Sequence, residues 1–262
     1  MEGTVSLQAT NDAYEAFMGR WSRHVAPQFL NWLNPDEGLD WLDVGCGTGV
    51  LSQTIVEQCA PAHVTGIDPL EKYIACAQAF NEVISFRVGD MQDLPFEAAG
   101  YDSTVSALCI KFVPDKARGI AELARVTKPG GSVALYDWDL SNEGNMTRHF
   151  WQAVAGALPE LSEERTRRRT AKAAPEEMIG FFEAAGLRNV ETRLFSFTAQ
   201  FDNVDAYWAP LTGNEQNVGR FCRTLTATQL AAIRGRLDDT LPVSADGTIS
   251  YEGRAWAIRA KV

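Results

Sequence analysis

Long apolar runs, paired cysteines and basic residues are all scarce in this chain, and each shortage excludes a class of protein. No stretch of its 262 residues approaches the roughly 20 consecutive apolar residues that a bilayer-crossing helix needs. The opening MEGTVSLQATND has neither the basic nor the apolar segment of a secretory signal, so the expected compartment is the cytoplasm, with no membrane insertion. The five cysteines, Cys46, Cys59, Cys76, Cys109 and Cys222, are odd in number and lack C-x-x-C spacing. That pattern argues against a disulfide framework and against a zinc site, so they read as free thiols and no metal is expected. Lys and Arg total 24 against 34 Asp and Glu, a net charge of −10. Nucleic-acid binding draws on broad basic surfaces, so neither DNA nor bulk RNA is an expected partner. One local exception, Arg165, Arg167, Arg168 and Arg169, reads as a solvated helix face beside Glu163 and Glu164, with contact to an anionic substrate as the alternative.

What the chain does have is enough apolar residue, 45% of the total, to bury a full core. Tyr14, Phe17, Trp21, Val25, Phe29 and Trp32 recur at spacings of three or four, which predicts an N-terminal helix capped by Asn11 or Asp12 and divided by Pro27. An alternating series follows. Strands are predicted at Leu39–Val44, His63–Ile67, Ile84–Val88, Tyr101–Leu108 and Ser132–Tyr136, and helices at Leu51–Gln58, Leu70–Phe80 and Lys116–Val126. The Pro129-Gly130-Gly131 turn precedes the fifth strand. Beyond Asp137 the pattern loosens into helical stretches over 141–180 and 202–240, with strands at Asn189–Phe197 and Thr248–Lys261. Alternation of this kind predicts an α/β fold: a Rossmann-like, doubly wound, mostly parallel seven-stranded sheet with helical insertions after the fifth and sixth strands.

The first chemistry lies in Asp43-Val44-Gly45-Cys46-Gly47-Thr48-Gly49, where a strand turns into a helix through alternating glycines. Bare backbone there lets a ligand lie against the peptide, and an open helix N-terminus favours a carboxylate. Asp68 closes the second strand, 68 − 49 = 19 residues after the last glycine, where an acid can accept hydrogen bonds from two ribose hydroxyls. At the third strand tip, Asp90 can take an adenine amino hydrogen and Met91 can cover the ring. Each acid by itself reads equally as a cap of the turn that follows it. Together, three neighbouring tips offer contacts to a methionine carboxylate, a ribose and an adenine.

On these residues the chain resembles the class I S-adenosylmethionine-dependent methyltransferases, in the branch of the ubiquinone and menaquinone biosynthesis enzymes. The resemblance covers about residues 39–136, through Leu42–Gly49, Gly66-Ile67-Asp68, Val88–Phe96, Tyr101-Asp102 and Ala124–Gly131, and the opening Tyr14–Arg23 is also similar to that branch. It implies S-adenosylmethionine as cofactor, with Asp43, Gly45 and Gly47 at the methionyl end, Asp68 at the ribose, Asp90 and Met91 at the adenine, and Leu108 on the inner side. Cys46 and Pro69 lie within the same motifs and complete that set. Arg20 and Trp21 suggest a lid, with Arg20 paired to the cofactor carboxylate and Trp21 excluding water; a place for Trp21 in the core stripe is the alternative. A single unit over 1–262 is expected: 1–35 a helical lid, 36–136 the cofactor-binding core, 137–262 acceptor-site insertions and the last strands.

Rival chemistries fit less well. A nicotinamide fingerprint, G-x-G-x-x-G counted from Gly45, would need glycine where Val50 stands. No Asn/Asp-Pro-Pro-aromatic run marks a DNA amino-methylating enzyme; the corresponding residues are Ala107-Leu108-Cys109-Ile110. A cofactor-binding protein without catalysis is the remaining rival. The expected acceptor is a small molecule, apolar or aromatic, methylated at oxygen, nitrogen or carbon. His149, past the fifth strand and with an ordinary pKa near 6.5, is the candidate general base, with Asp137 and Asp139 as competitors and His63 read as structural. The acceptor-site aromatics expected from 137–180 and 199–247 include Trp138, Phe150, Trp151, Tyr207, Trp208 and Phe221.

Overall fold

The computed structural model describes residues 19–141, 146–161, 175–213 and 217–262. Seven strands, β1 (Asp40–Val44), β2 (His63–Asp68), β3 (Ser85–Val88), β4 (Tyr101–Ala107), β5 (Thr127–Trp138), β6 (Arg188–Phe201) and β7 (Ile249–Lys261), form one sheet in the order β3-β2-β1-β4-β5-β7-β6. β1 to β5 pair in parallel, and β7 runs antiparallel between β5 and β6.

Strand β1 shows why the sheet must be covered on both faces. Trp41 joins one core, while Leu42 and Val44 join the other. The first core is closed by α1 (Arg20–Leu33), α2 (Val50–Gln58) and α3 (Glu71–Phe80), and the second by α4 (Lys116–Val126) and α6 (Pro175–Ala184). Sequence order reverses between neighbours β1 and β4, so a crevice opens beyond their carboxyl ends, the usual ligand position in such sheets.

A further layer of α5 (Arg148–Ala157), α7 (Val204–Gly213), α8 (Asn217–Cys222) and α9 (Ala227–Thr240) follows β5 and β6. A reciprocal capping box between Thr226 and Gln229 starts α9. Phe150, Trp151, Trp208 and Phe221 pack ring to ring, with Phe150 and Trp151 centroids 4.9 Å apart, and the Tyr207 hydroxyl accepts the Phe150 amide at 3.0 Å. Phe150, Tyr207 and Trp138 are buried. Packing, not an open wall, occupies these three.

Several boundaries differ from expectation. Pro27 does not divide α1: the helix runs through it, because Val25 and Ala26 before it and Phe29 and Leu30 after it bury one continuous stripe that outweighs the missing amide. β5 begins at Thr127 rather than Ser132, since the Pro-Gly-Gly segment is an irregularity within the strand. A Cβ on Gly131 would stand 2.7 Å from the Asp102 carbonyl oxygen, so only glycine fits there. β4 stops at Ala107 because Leu108 turns to φ +59° while its amide still donates to the Tyr136 carbonyl at 2.8 Å. Asn11, Asp12, Tyr14 and Phe17, and the cluster of Arg165, Arg167, Arg168 and Arg169, lie outside the described residues. Among the described residues no helix is long and apolar enough to cross a membrane.

Candidate cofactor and acceptor site

The crevice is built on Asp43, the penultimate residue of β1. Its side chain is fully buried, and the Ser52 hydroxyl on α2 donates to Oδ2 at 2.6 Å. Its Oδ1 is buried with no hydrogen-bond partner. Burial pushes the carboxyl up to about 7, against the hydrogen bonds from Ser52, with the nearby charge of Asp68 adding to the rise.

The loop beyond it is shaped by its neighbours. The Gly45 and Cys46 amides both donate to the Ile67 carbonyl, at 2.7 and 3.1 Å, which ties the loop to the β2 tip. A side chain on Gly45 would meet Cys109 Sγ at 2.4 Å, whereas a Cβ on Gly47 would meet nothing within 4 Å. The loop is therefore packed on one side and bare on the other. Gly49 enters α2 at φ +90° with no side-chain cap at the helix start, and with the Ser52 amide turned to the Asp43 carboxyl the Val50 and Leu51 amides are left for an anion. Thr48 adds a buried hydroxyl without a partner.

Asp68 holds the loop and the next turn at once. Its Oδ2 accepts the Gly47 amide at 3.0 Å and its Oδ1 the Leu70 amide at 2.9 Å. A carboxylate has about four acceptor positions, so two remain, enough for a pair of vicinal hydroxyls. Burial raises its pKa against those two backbone bonds. Pro69 and Leu70 follow, both exposed, Leu70 by 46%.

At the β3 tip the exposed Asp90 accepts the Gln92 amide at 2.8 Å and its side-chain nitrogen at 3.2 Å, the local capping arrangement. Met91 is buried and turns into the second core, where its sulfur lies against Gly119. The exposed apolar residues at these tips are Leu70 and Val88, and the sequence reasoning missed Leu70 as a ligand contact. Leu108 is buried at the end of β4 and Cys46 within the loop, where burial raises its thiol pKa.

Arg20 and Trp21 are brought to a different strand. Trp21 is buried, its ring 5.9 Å from Phe197 and 5.3 Å from Phe201 of β6, and Arg20 lies over the Trp21 ring and donates to the Gln200 carbonyl at 2.9 Å. Packing on β6 accounts for both. His149, on α5, is buried with its ring 4.9 Å from that of Tyr251, and neither nitrogen makes a well-formed hydrogen bond. Burial, with the Arg148 charge beside it, holds its pKa below the ordinary value, against the Thr240 backbone and Gln152 side chain within its reach. His63 pairs with Asp40 at 2.8 Å, its side chain 84% exposed. Asp139 is engaged by the amide and hydroxyl of Ser141. Asp137 lies within β5, buried, and its partner Lys111 was missed. The signal was there: Lys111 is the one charge in the apolar run Ala107–Val113.

Bare backbone, an uncapped helix start, and buried acids with unused oxygens at neighbouring strand tips fit the methionyl and ribose parts of S-adenosylmethionine. A methyltransferase domain family matches residues 42–135. Those residues form a class I S-adenosylmethionine-dependent methyltransferase domain resembling the ubiquinone and menaquinone branch. More particularly, the chain is 32% identical over 136 residues to a malonyl-[acyl-carrier protein] O-methyltransferase of Erwinia billingiae, spanning 50% of this chain and 53% of that one. It is 28% identical to a ubiquinone biosynthesis O-methyltransferase of Aromatoleum aromaticum, over 64% of this chain and 73% of that one. The match thus spans about half the length of the first of these relatives. In fold it is similar to the YcgJ protein of Bacillus subtilis, with a TM-score of 0.61 at 18% identity, over 91% of this chain and 97% of that one.

Proposed function

We propose that this chain, acting as one unit over 1–262, transfers the methyl group of S-adenosylmethionine to a small-molecule acceptor in the cytoplasm. The observation that carries the reading is the set of unfilled bonding positions around the glycine loop: Asp43 Oδ1, the Thr48 hydroxyl, the first two amides of α2 and the two remaining acceptor positions of Asp68. Asp43, Gly45, Cys46 and Gly47 hold the methionyl end. Asp68 and Pro69 hold the ribose, and Asp90, Leu70 and the Met91 backbone border the adenine. Leu108 closes the inner side.

When bound, the sulfonium supplies a methyl group that is already electrophilic. The residues of this chain then need only align the acceptor and exclude water, and orientation alone is worth roughly 7–11 kcal/mol. Acceptor choice resides in the layer of α5 and α7 to α9 with residues 137–180 and 199–247, where the proteins it resembles include enzymes named for malonyl-[acyl-carrier protein] and for ubiquinone. His149 stands in that layer as a base for an acceptor that arrives protonated.

Titration calorimetry with S-adenosylhomocysteine tests the reading. Asp68→Ala removes two charged hydrogen bonds to the ligand and weakens binding by roughly 1.5–3 kcal/mol. A wild-type protein that ignores S-adenosylhomocysteine, or binds NAD more tightly, overturns it.

A further inference from the structure

Lys111 stands on the 3-10 turn Ile110–Phe112, just past the β4 tip. Its Nζ donates to Asp137 Oδ1 on β5 at 2.6 Å and to the Leu108 carbonyl at 2.7 Å. Asp137 Oδ1 also accepts the Trp138 amide at 2.7 Å, while Oδ2 is buried with no partner. The Lys111 side chain is 20% exposed and that of Asp137 2%. Removing an ion pair from water is costly, and apolar residues of like size would hold two strand tips together at less cost. A charge kept here is therefore better explained by use than by stability.

Its position points to the use. Cys109 fills the space a side chain on Gly45 would take, and that buried thiol feels the charges of Asp137, Lys111 and Asp68 together. Cys109 thus stands between the pair and the glycine loop, and its thiol is in electrostatic range both of the pair and of the acid assigned to the ribose. Phe112 is 60% exposed, its ring 4.9 Å from the Lys111 ammonium.

We infer that Lys111 is a catalytic residue that holds the acceptor's nucleophilic oxygen as an anion, with Asp137 and the Leu108 carbonyl aiming its ammonium and Phe112 offering a flat apolar surface beside it. The inference rests on the methyl-transfer reading and narrows it to oxygen acids: phenols, enols or carboxylates. An ammonium has three donors, and two are already committed within the protein. The third, placed against an acidic oxygen, favours its charged form. The acceptor's proton leaves on binding, to His149 or to solvent. The oxygen then supplies the electron pair of the new O–CH₃ bond, the pair of the broken S–CH₃ bond stays on sulfur, and the opposite charges of oxyanion and sulfonium disappear together. A protonated amine would meet a like charge in the same place.

The test uses 4-nitrophenol, whose anion alone is yellow, added to the protein saturated with S-adenosylhomocysteine. The wild type should lower the apparent pKa of the bound phenol by about one unit or more, since a cation within contact distance favours the anion. Lys111→Arg should keep the effect. Lys111→Met combined with Asp137→Asn removes both charges, so no lone buried charge unfolds the chain, and should abolish it with S-adenosylhomocysteine affinity unchanged. With the methyl donor present, product formation should favour 4-nitrophenol over benzylamine, by roughly 10-fold or more in kcat/KM. Failure to hold the phenolate, an equal effect in the double variant, or preference for the amine overturns the role of Lys111. A protein that does not bind S-adenosylhomocysteine fails the methyltransferase reading itself.

Discussion

Asp43→Asn separates the electrostatics of the crevice from its shape. The buried carboxyl titrates at about 7 instead of 3.8, a shift of about three units worth roughly 4 kcal/mol at 1.36 kcal/mol per unit. Because the folded pKa is raised, the folded state keeps a proton that the unfolded chain gives up. The stabilising difference is fully present below about pH 4, falls as pH rises toward about 7, and is constant above it. An asparagine keeps an oxygen for the Ser52 hydroxyl but places an amide where Oδ1 has no partner, a pH-independent cost of roughly 1–3 kcal/mol. The absolute stability of the variant is therefore uninformative, and the pH dependence of its difference from wild type is the quantity that counts. Denaturant melts of the ligand-free proteins at about pH 5 and pH 8 should show the wild type losing roughly 1–3 kcal/mol relative to Asp43→Asn across that interval. A cationic ligand group beside Asp43 reverses the effect, so wild-type binding of S-adenosylmethionine should release a proton at about pH 6, seen as a buffer-dependent calorimetric enthalpy, and the variant should release none. A wild-type and variant difference that does not change with pH refutes the argument from burial.

Two further substitutions test the placement of side chains. Trp21→Ala, which removes a buried ring from the face of β6, should cost roughly 3–5 kcal/mol of stability, read by denaturant melts; an undiminished stability with weakened S-adenosylhomocysteine binding would restore the lid role instead. His149→Phe preserves the contact with the Tyr251 ring but has no basic nitrogen, so if His149 is the base, turnover of a protonated acceptor should fall by about 10²–10⁴-fold at unchanged cofactor affinity; unchanged turnover removes that role.

The part of the crevice over β1 and β2 was legible because its chemistry is local. Glycines at Gly45, Gly47 and Gly49 and an acid one helix and one strand later are spaced by element lengths, and backbone amides do most of the contacting. Side-chain direction was less legible. Met91 and Trp21 both satisfied a pattern for ligand contact, yet each turns into apolar surface supplied by another segment, Gly119 for one and Phe197 with Phe201 for the other. Pro27 misled for the same reason, since the burial that holds α1 together comes from the sheet beneath it. β5 was drawn too short because a Pro-Gly-Gly sequence reads as a turn, and only its neighbour β4 shows that it is a bulge.

The two halves of the crevice also differ in how they can change. A loop held by amide bonds to the Ile67 carbonyl and to Asp68 tolerates little, because each glycine either meets a neighbour or takes a left-handed conformation. The segments that follow β4 and β5 are joined by contacts between residues far apart in sequence: Lys111 with Asp137, the Tyr207 hydroxyl with the Phe150 amide, and the Tyr251 hydroxyl with the Met146 carbonyl. Of these, Lys111 and Asp137 meet side chain to side chain, so the pair can be exchanged provided both charges are replaced together. The family match falls on residues 42–135, the part of the chain that carries the glycine loop and the strand tips around it. Lys111, tied to the end of β4 through the Leu108 carbonyl and to β5 through Asp137, bridges two neighbouring strand tips, which is why we place the meeting of acceptor and donor there.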